Sequence, residues 1–180
     1  REAQRGEARM VQERYAQRLK TLHHIERAVL SGQALSKIAQ RALDAVGQVV
    51  GCSRATVVEM GPSLKEASIL ARLGRFGAGR GSSRLIPLNR ESSFLHHLRA
   101  GRNYALADTE DLSRVPRLIA ELVEGGAAAV ICIPLYTENE LLGSLNLGLD
   151  RPGSLDAECI EIAQEVAELL AAAVQHPRLG

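Results

Sequence analysis

The residues with chemistry to offer in this chain are two histidine pairs, three cysteines and one glycine-rich loop carrying arginines. His96 and His97 fall in a short helical stretch. Neighbours on a helix point about 100° apart, so they do not form a chelating pair. One of them facing inward is a candidate haem or metal ligand; one half-buried and one solvated histidine is the plainer reading. Cys52, Cys132 and Cys159 are widely separated and form neither a disulfide framework nor a CxxC metal pattern. Cys132 sits inside the most apolar stretch, where burial raises a thiol pKa and makes it inert. The loop Gly74-Arg75-Phe76-Gly77-Ala78-Gly79-Arg80-Gly81-Ser82-Ser83 opens with the spacing of a P-loop, but Arg80-Gly81 stand where Lys-Ser/Thr is required. The dinucleotide fingerprint fails at Ser82. Arg72, Arg75, Arg80 and Arg84 could hold an anion, yet a solvated mobile loop is the preferred reading. No Ser-His-Asp or paired-carboxylate arrangement can be read from spacing alone.

Composition narrows the function classes. Basic and acidic residues number 22 and 21, a net charge of +1, which argues against a polyanion binder driven by charge. Aromatic residues are 3% and tryptophan is absent, so stacking platforms for bases lack material. Nucleic acid is therefore not an expected partner. The longest apolar run, Ala127 to Leu135, is far short of the roughly 20 residues of a membrane helix, and no membrane contact is expected. No secretory leader is read at the start, and the cysteine usage fits a reduced, cytoplasmic protein. Because the chain starts at Arg1, it is expected to be a piece of a longer protein.

The elements that must position these residues follow from periodicity. Residues 1–31 read as one long polar helix. Ala8, Val11, Tyr15, Arg18, Leu22, Ile25 and Val29 step by three and four, a coiled-coil seam along about 45 Å of helix. Such a seam pairs with a second copy or packs on its own domain; pairing is expected. A second amphipathic helix runs from Leu35 to Val50 and ends at Gly51. Ala55–Met60 and Ala67–Leu73 read as a hairpin, and Leu85–Leu88 as a short apolar segment. Ser92 or Ser93 caps a helix to Ala100, and Tyr104–Ala107 is a brief strand. Leu112–Glu124 holds a helix beginning near Pro116. Ala127–Leu135 and Leu141–Leu149 are paired strands joined by a turn at 136–140, and a last helix opens at Asp156. The fold class is α+β: a central antiparallel sheet of about five to six strands flanked by helices, preceded by a long helix.

Several stretches carry a family resemblance. Ile131-Cys132-Ile133-Pro134-Leu135, then Leu141-Leu142-Gly143-Ser144-Leu145-Asn146-Leu147, then Asp150-Arg151-Pro152-Gly153 before the last helix, form a late hairpin and its exit. Together with Tyr104 to Asp108, a strand ending in aspartate, they resemble the GAF domains of cytoplasmic signalling proteins, over about residues 30 to 175. The heptad helix is similar to those that join such domains to a histidine kinase or nucleotide cyclase. The resemblance implies a GAF/PAS-like sensor domain at 32–176 behind a signalling helix at 1–31. A small molecule would sit between one sheet face and its covering helices, and occupancy would shift helix packing toward an output domain, as in two-component systems.

Known family chemistries are not matched. Bilin-binding members commonly follow an internal cysteine with histidine, whereas Ser, Ile and Ile follow the three cysteines here. Methionine-sulfoxide-reducing members carry Val-Cys-Gly and Ala-Cys-Asp segments, which do not occur. The Phe-x-x-x-Asp-Glu of cyclic-nucleotide binders is absent after both Phe76 and Phe94. His23-His24 lacks the context of a kinase phosphoacceptor. The expectation is a non-enzymatic, homodimeric sensor joined through its N- and C-terminal helices, binding an unidentified small molecule, with no metal and no cofactor assigned. The expected pocket residues are Phe94, His97, Asp108, Leu112, Arg114, Pro116, Arg117 and Ile131. They come from three segments that should converge, and Ile131 against Cys132 stays open because strand facing is undetermined. The alternative is a degenerate domain serving only dimerisation and signal relay, for which the alanine-rich packing at 127–129 and 171–173 speaks.

Overall fold

The computed structural model describes residues 2–30, 32, 34–52, 54–74, 85–106, 115–151 and 156–179. Helices α1 (Glu2–Leu30) and α2 (Leu35–Val50) lead into strands β1 (Arg54–Met60), β2 (Glu66–Leu73) and β3 (Ile86–Pro87). Helix α3 (Ser93–Arg99), strand β4 (Tyr104–Leu106), a 3-10 turn (Arg117–Ile119) and helix α4 (Ala120–Glu124) follow. Strands β5 (Ala129–Thr137) and β6 (Glu140–Leu149) and helix α5 (Ala157–Leu179) complete the chain. The six strands form one antiparallel sheet in the order β3-β2-β1-β6-β5-β4.

The central strands are apolar along almost their whole length because helices cover both faces. Alternation sends Ala55, Val57, Ile131, Ile133, Leu145 and Leu147 into a core shared with α1, α2 and α5. Val58, Met60, Val130 and Cys132 point the other way, into a second core with α3, the 3-10 turn and α4. Helix α2 buries a stripe of Ile38, Ala39, Ala42, Leu43 and Val46, and stops at Gly51. Gly51 has φ +77, and its N–H donates to the Gly47 carbonyl at 3.0 Å, a left-handed cap that favours glycine. Gly143 is required for a different reason: a Cβ there would run into the carbonyl of Val58 on the neighbouring strand.

Three expectations are refined. The β5–β6 turn is shorter than 136–140: Thr137 pairs with Glu140, leaving Glu138 and Asn139 at φ +50 and +65. This is a two-residue turn whose twist matches the strands. The helix expected near Pro116 is a 3-10 turn followed by five α-helical residues, because Pro116 is extended at ψ 143 and Gly125-Gly126 ends the segment. The heptad seam is split. Ile25 is fully buried and Leu22 and Val29 are half-buried against the chain's own core, while Arg18 reaches Glu161 and Glu165 of α5. Large apolar side chains that α1 leaves exposed are Met10, Val11, Tyr15 and Leu19 on the stretch before the buried segment, and Leu30 at its C-terminal end.

Candidate ligand-binding cleft

Ser92 begins the site. Its Oγ accepts the N–H of Leu95 at 3.2 Å, capping α3 and fixing its direction. The helix then turns Phe94, Leu95 and Leu98 inward and leaves His96 in solvent. Phe94 meets Tyr104 of β4 edge to face, ring centroids 5.2 Å apart and planes at 88°. Upstream, the Leu88 N–H donates to the Lys65 carbonyl at 2.8 Å, which holds the chain after β3 beside the start of α3. Downstream, Leu118 and Ile119 of the 3-10 turn bury themselves in the same core as Phe94.

Between these three segments lies a cleft of about 270 Å³. Pro87, Leu88, Phe94, Leu95, Tyr104, Val115, Pro116 and Leu118 form its apolar lining, and Asn89, Ser92, Ser93 and Arg117 supply polar groups. Asn89 Oδ1 accepts the Glu91 N–H at 3.1 Å, so part of that polarity is already spent locally. Arg117 is exposed. A compact molecule with an apolar body suits such a lining. The described cysteine on this sheet face, Cys132, is fully buried, and desolvation pushes its thiol well above the usual range, which makes that thiol a poor nucleophile. Among the described residues, no three His, Cys, Asp or Glu side chains gather as metal ligands.

Of the residues singled out by sequence, Phe94, Pro116 and Arg117 line the cleft. His97 lies behind it. Its ring packs on Tyr104 at 5.7 Å and 75°, and its Nδ1 lies 2.8 Å from the Ser93 carbonyl. Asp108, Leu112 and Arg114 lie outside the described residues, as does the loop at 75–84. Ile131 points into the opposite core, against the long helices, and Cys132 carries the cleft's face instead. Sequence reasoning missed Leu88, Tyr104, Val115 and Leu118. Tyr104 left a signal: one of only five Phe and Tyr residues, it opens a strand next to the helix bearing Phe94.

One polar contact ties this layer to the rest. Glu121, in the first turn of α4, accepts two hydrogen bonds from Arg72 of β2, at 2.9 and 3.1 Å. The Arg72 carbonyl in turn accepts from the Gln40 amide of α2 at 3.0 Å.

The family model for the GAF domain matches residues 34–174. The GAF domain of an Acinetobacter phosphoenolpyruvate-protein phosphotransferase superposes with a TM-score of 0.72 at 12% identity, covering 89% of this chain and 94% of that one. The phycoerythrobilin-bound GAF domain of a cyanobacterial phytochrome gives 0.67 at 16% identity, covering 90% and 96%. The cyanobacteriochrome TePixJ GAF domain gives 0.64 at 16% identity, covering 82% and 97%. No curated protein matches the chain by sequence. At these identities the structural neighbours establish the fold.

Proposed function

This chain belongs to the GAF domain family, and from that premise we propose that it is a regulatory, non-enzymatic small-molecule sensor. It acts in the cytoplasm within a longer signalling protein, as a homodimer, passing cleft occupancy to an output domain of the histidine kinase or cyclase type. The observation that carries the reading is the cleft itself, walled by α3, β4 and the segment entering α4. That segment is the one joined through Glu121 and Arg72 to Gln40, and so to the helical layer of α1, α2 and α5. A ligand that repositions the 3-10 turn has a polar route to the long helices that enter and leave the domain. The dimer contact would be the exposed row of Met10, Val11, Tyr15 and Leu19 on α1, continued by α5.

A bilin chromophore, as the name of one structural neighbour prints for that protein, fits these residues poorly. A cleft of about 270 Å³ falls just below the ~300–1,000 Å³ that encloses a drug-sized molecule. The alternative is a dimerisation and relay module without ligand, favoured by the tightly filled apolar core beneath α3 and α4.

Native mass spectrometry of the freshly purified chain beside a denatured spectrum tests the reading. A dimer carrying an extra mass that is lost on denaturation supports a sensor; a bare dimer moves the conclusion to the relay module.

A further inference from the structure

Two side chains at the centre of the sheet have polar atoms with nothing to bind. Ser144 and Asn146 of β6 are fully buried, and among the described residues Ser144 Oγ and Asn146 Oδ1 have no hydrogen-bond partner. The amide nitrogen of Asn146 donates to Thr56 Oγ1 at 3.2 Å, which holds the amide and leaves its oxygen over. A buried acceptor left unmade is costly, and an apolar side chain would avoid that cost. The positions therefore ask for a partner.

The register relates them to the cleft. Tyr104, Cys132, Asn146, Thr56 and Arg72 stand in one row across β4, β5, β6, β1 and β2. Tyr104 is a cleft wall at one end, and Arg72, paired with Glu121, closes the other. Asn146 lies two strand spacings inward from Tyr104, about 10 Å, on the same face. Ser144 is beside it, opposite Val58. Phe94, Leu95 and Leu118 line the cleft and also belong to the apolar layer covering this face. Shifting that layer would extend the cleft to the two unpartnered atoms.

We propose that the ligand is a compact uncharged molecule whose apolar body lies between Phe94 and Leu118 and whose hydrogen-bond-donating head reaches Asn146 Oδ1 and Ser144 Oγ. A primary amide or a ring N–H is such a head. The inference rests on the sensor reading above and adds the ligand's chemical class. Charge is excluded by what surrounds the floor. On this face Thr56, Ser144 and Asn146 are buried and not ionisable, and burial keeps the thiol of Cys132, which pairs with Asn146, in its neutral form. Arg72 is neutralised by Glu121. An anion drawn to the floor would lose its water without gaining a counter-charge. Among the described lining residues, the cation that could serve a carboxylate is Arg117, at the rim.

Two isosteric probes test this, phenylacetamide and phenylacetate, titrated by amide NMR into the wild-type chain, Ser144→Ala and Asn146→Leu. Phenylacetamide is expected to bind wild type at least tenfold more tightly than phenylacetate, and Asn146→Leu to lose that binding. Equal binding of the two probes, retained binding in Asn146→Leu, or no binding of phenylacetamide would overturn the ligand class. None of these removes an extra mass seen by native mass spectrometry, so the sensor reading stands or falls separately. The ligand-free Ser144→Ala chain supplies a second readout, since removing an unpartnered hydroxyl should raise Tm by about 2–4 °C. A lowered Tm would show the hydroxyl already satisfied, against the proposal.

Discussion

Arg72 and Glu121 meet through two hydrogen bonds, Nε to Oε2 at 2.9 Å and Nη2 to Oε1 at 3.1 Å, with each side chain only 21% exposed. The pair joins β2 to the first turn of α4, directly after the segment that walls the cleft. Planar two-point contacts of this kind are geometrically demanding, and a lysine cannot reproduce them. Its partial burial makes it worth more than a surface ion pair. Glu121→Gln is expected to cost about 1–2 kcal/mol, read as a lowered denaturation midpoint. Arg72→Lys should cost nearly as much, because the forked geometry is lost while the charge remains. An Arg72→Lys chain as stable as wild type would show that the pair contributes charge alone.

In the dimer proposed above, helix α1 would divide two roles along one apolar seam. Val11 and Tyr15 are 66% and 61% exposed, whereas Ile25 is at 0% within its own domain. Val11→Asp with Tyr15→Asp should therefore yield a folded monomer by light scattering, with unchanged circular dichroism. Ile25→Asp should unfold the domain instead, since a lone buried carboxylate is not tolerated. A double variant that remains dimeric would remove α1 from the interface.

At Gly143 the backbone of β6 lies tight against β1, with no room for a Cβ. Because any Cβ meets the Val58 carbonyl, Gly143→Ala must push the two central strands apart, at a cost of about 3 kcal/mol. Thermal denaturation measures this, and a Tm within 1–2 °C of wild type would contradict the packing described, given the size scaling for such domains.

Stability should fall at both ends of the pH range, for opposite reasons. Asp156 precedes α5, and its carboxylate accepts the Cys159 N–H at 2.8 Å, which holds its pKa below the ordinary value. Its contribution is present above the unfolded aspartate value of about 3.9 and is lost as pH falls through the folded one. Burial pushes the Cys52 thiol up to about 11. That group favours folding fully below the unfolded thiol value of about 8.5, and the benefit is lost as pH rises through the folded value. Asp156→Ala should flatten the acid limb and Cys52→Ala the alkaline one in urea midpoints measured against pH. Limbs unchanged in those variants would assign the pH dependence to other groups.

Much of this architecture was legible from local chemistry. Ser92 or Ser93 announced a cap, Gly51 a stop, and the β-branched run Ala55–Met60 a hairpin strand, because each depends on near neighbours in sequence. Gly143 within its apolar strand helped identify the family for a reason now visible in the Val58 contact. What sequence left open was the facing of residues apolar on both sides. Along Ala129–Leu135 every position is buried, so alternation carries no phase and Ile131 looks the same as Cys132. The heptad seam was ambiguous for a similar reason: Ile25 satisfies the same spacing whether it meets a second copy or its own α5. Ser144 and Asn146 looked like ordinary strand residues until the sheet register placed them in the interior, beyond the cleft.

The central claim is that cleft occupancy reaches the long helices. Hydrogen exchange followed by mass spectrometry tests it directly, on a preparation that native mass spectrometry finds carrying an extra mass and on the same chain after unfolding and refolding have stripped that bound species. The account predicts that loss of the bound species raises exchange in α3 and at residues 115–124 and also in α1 around Thr21–Ala28. Changes confined to the cleft segments, with α1 and α5 exchanging identically in both states, would contradict it.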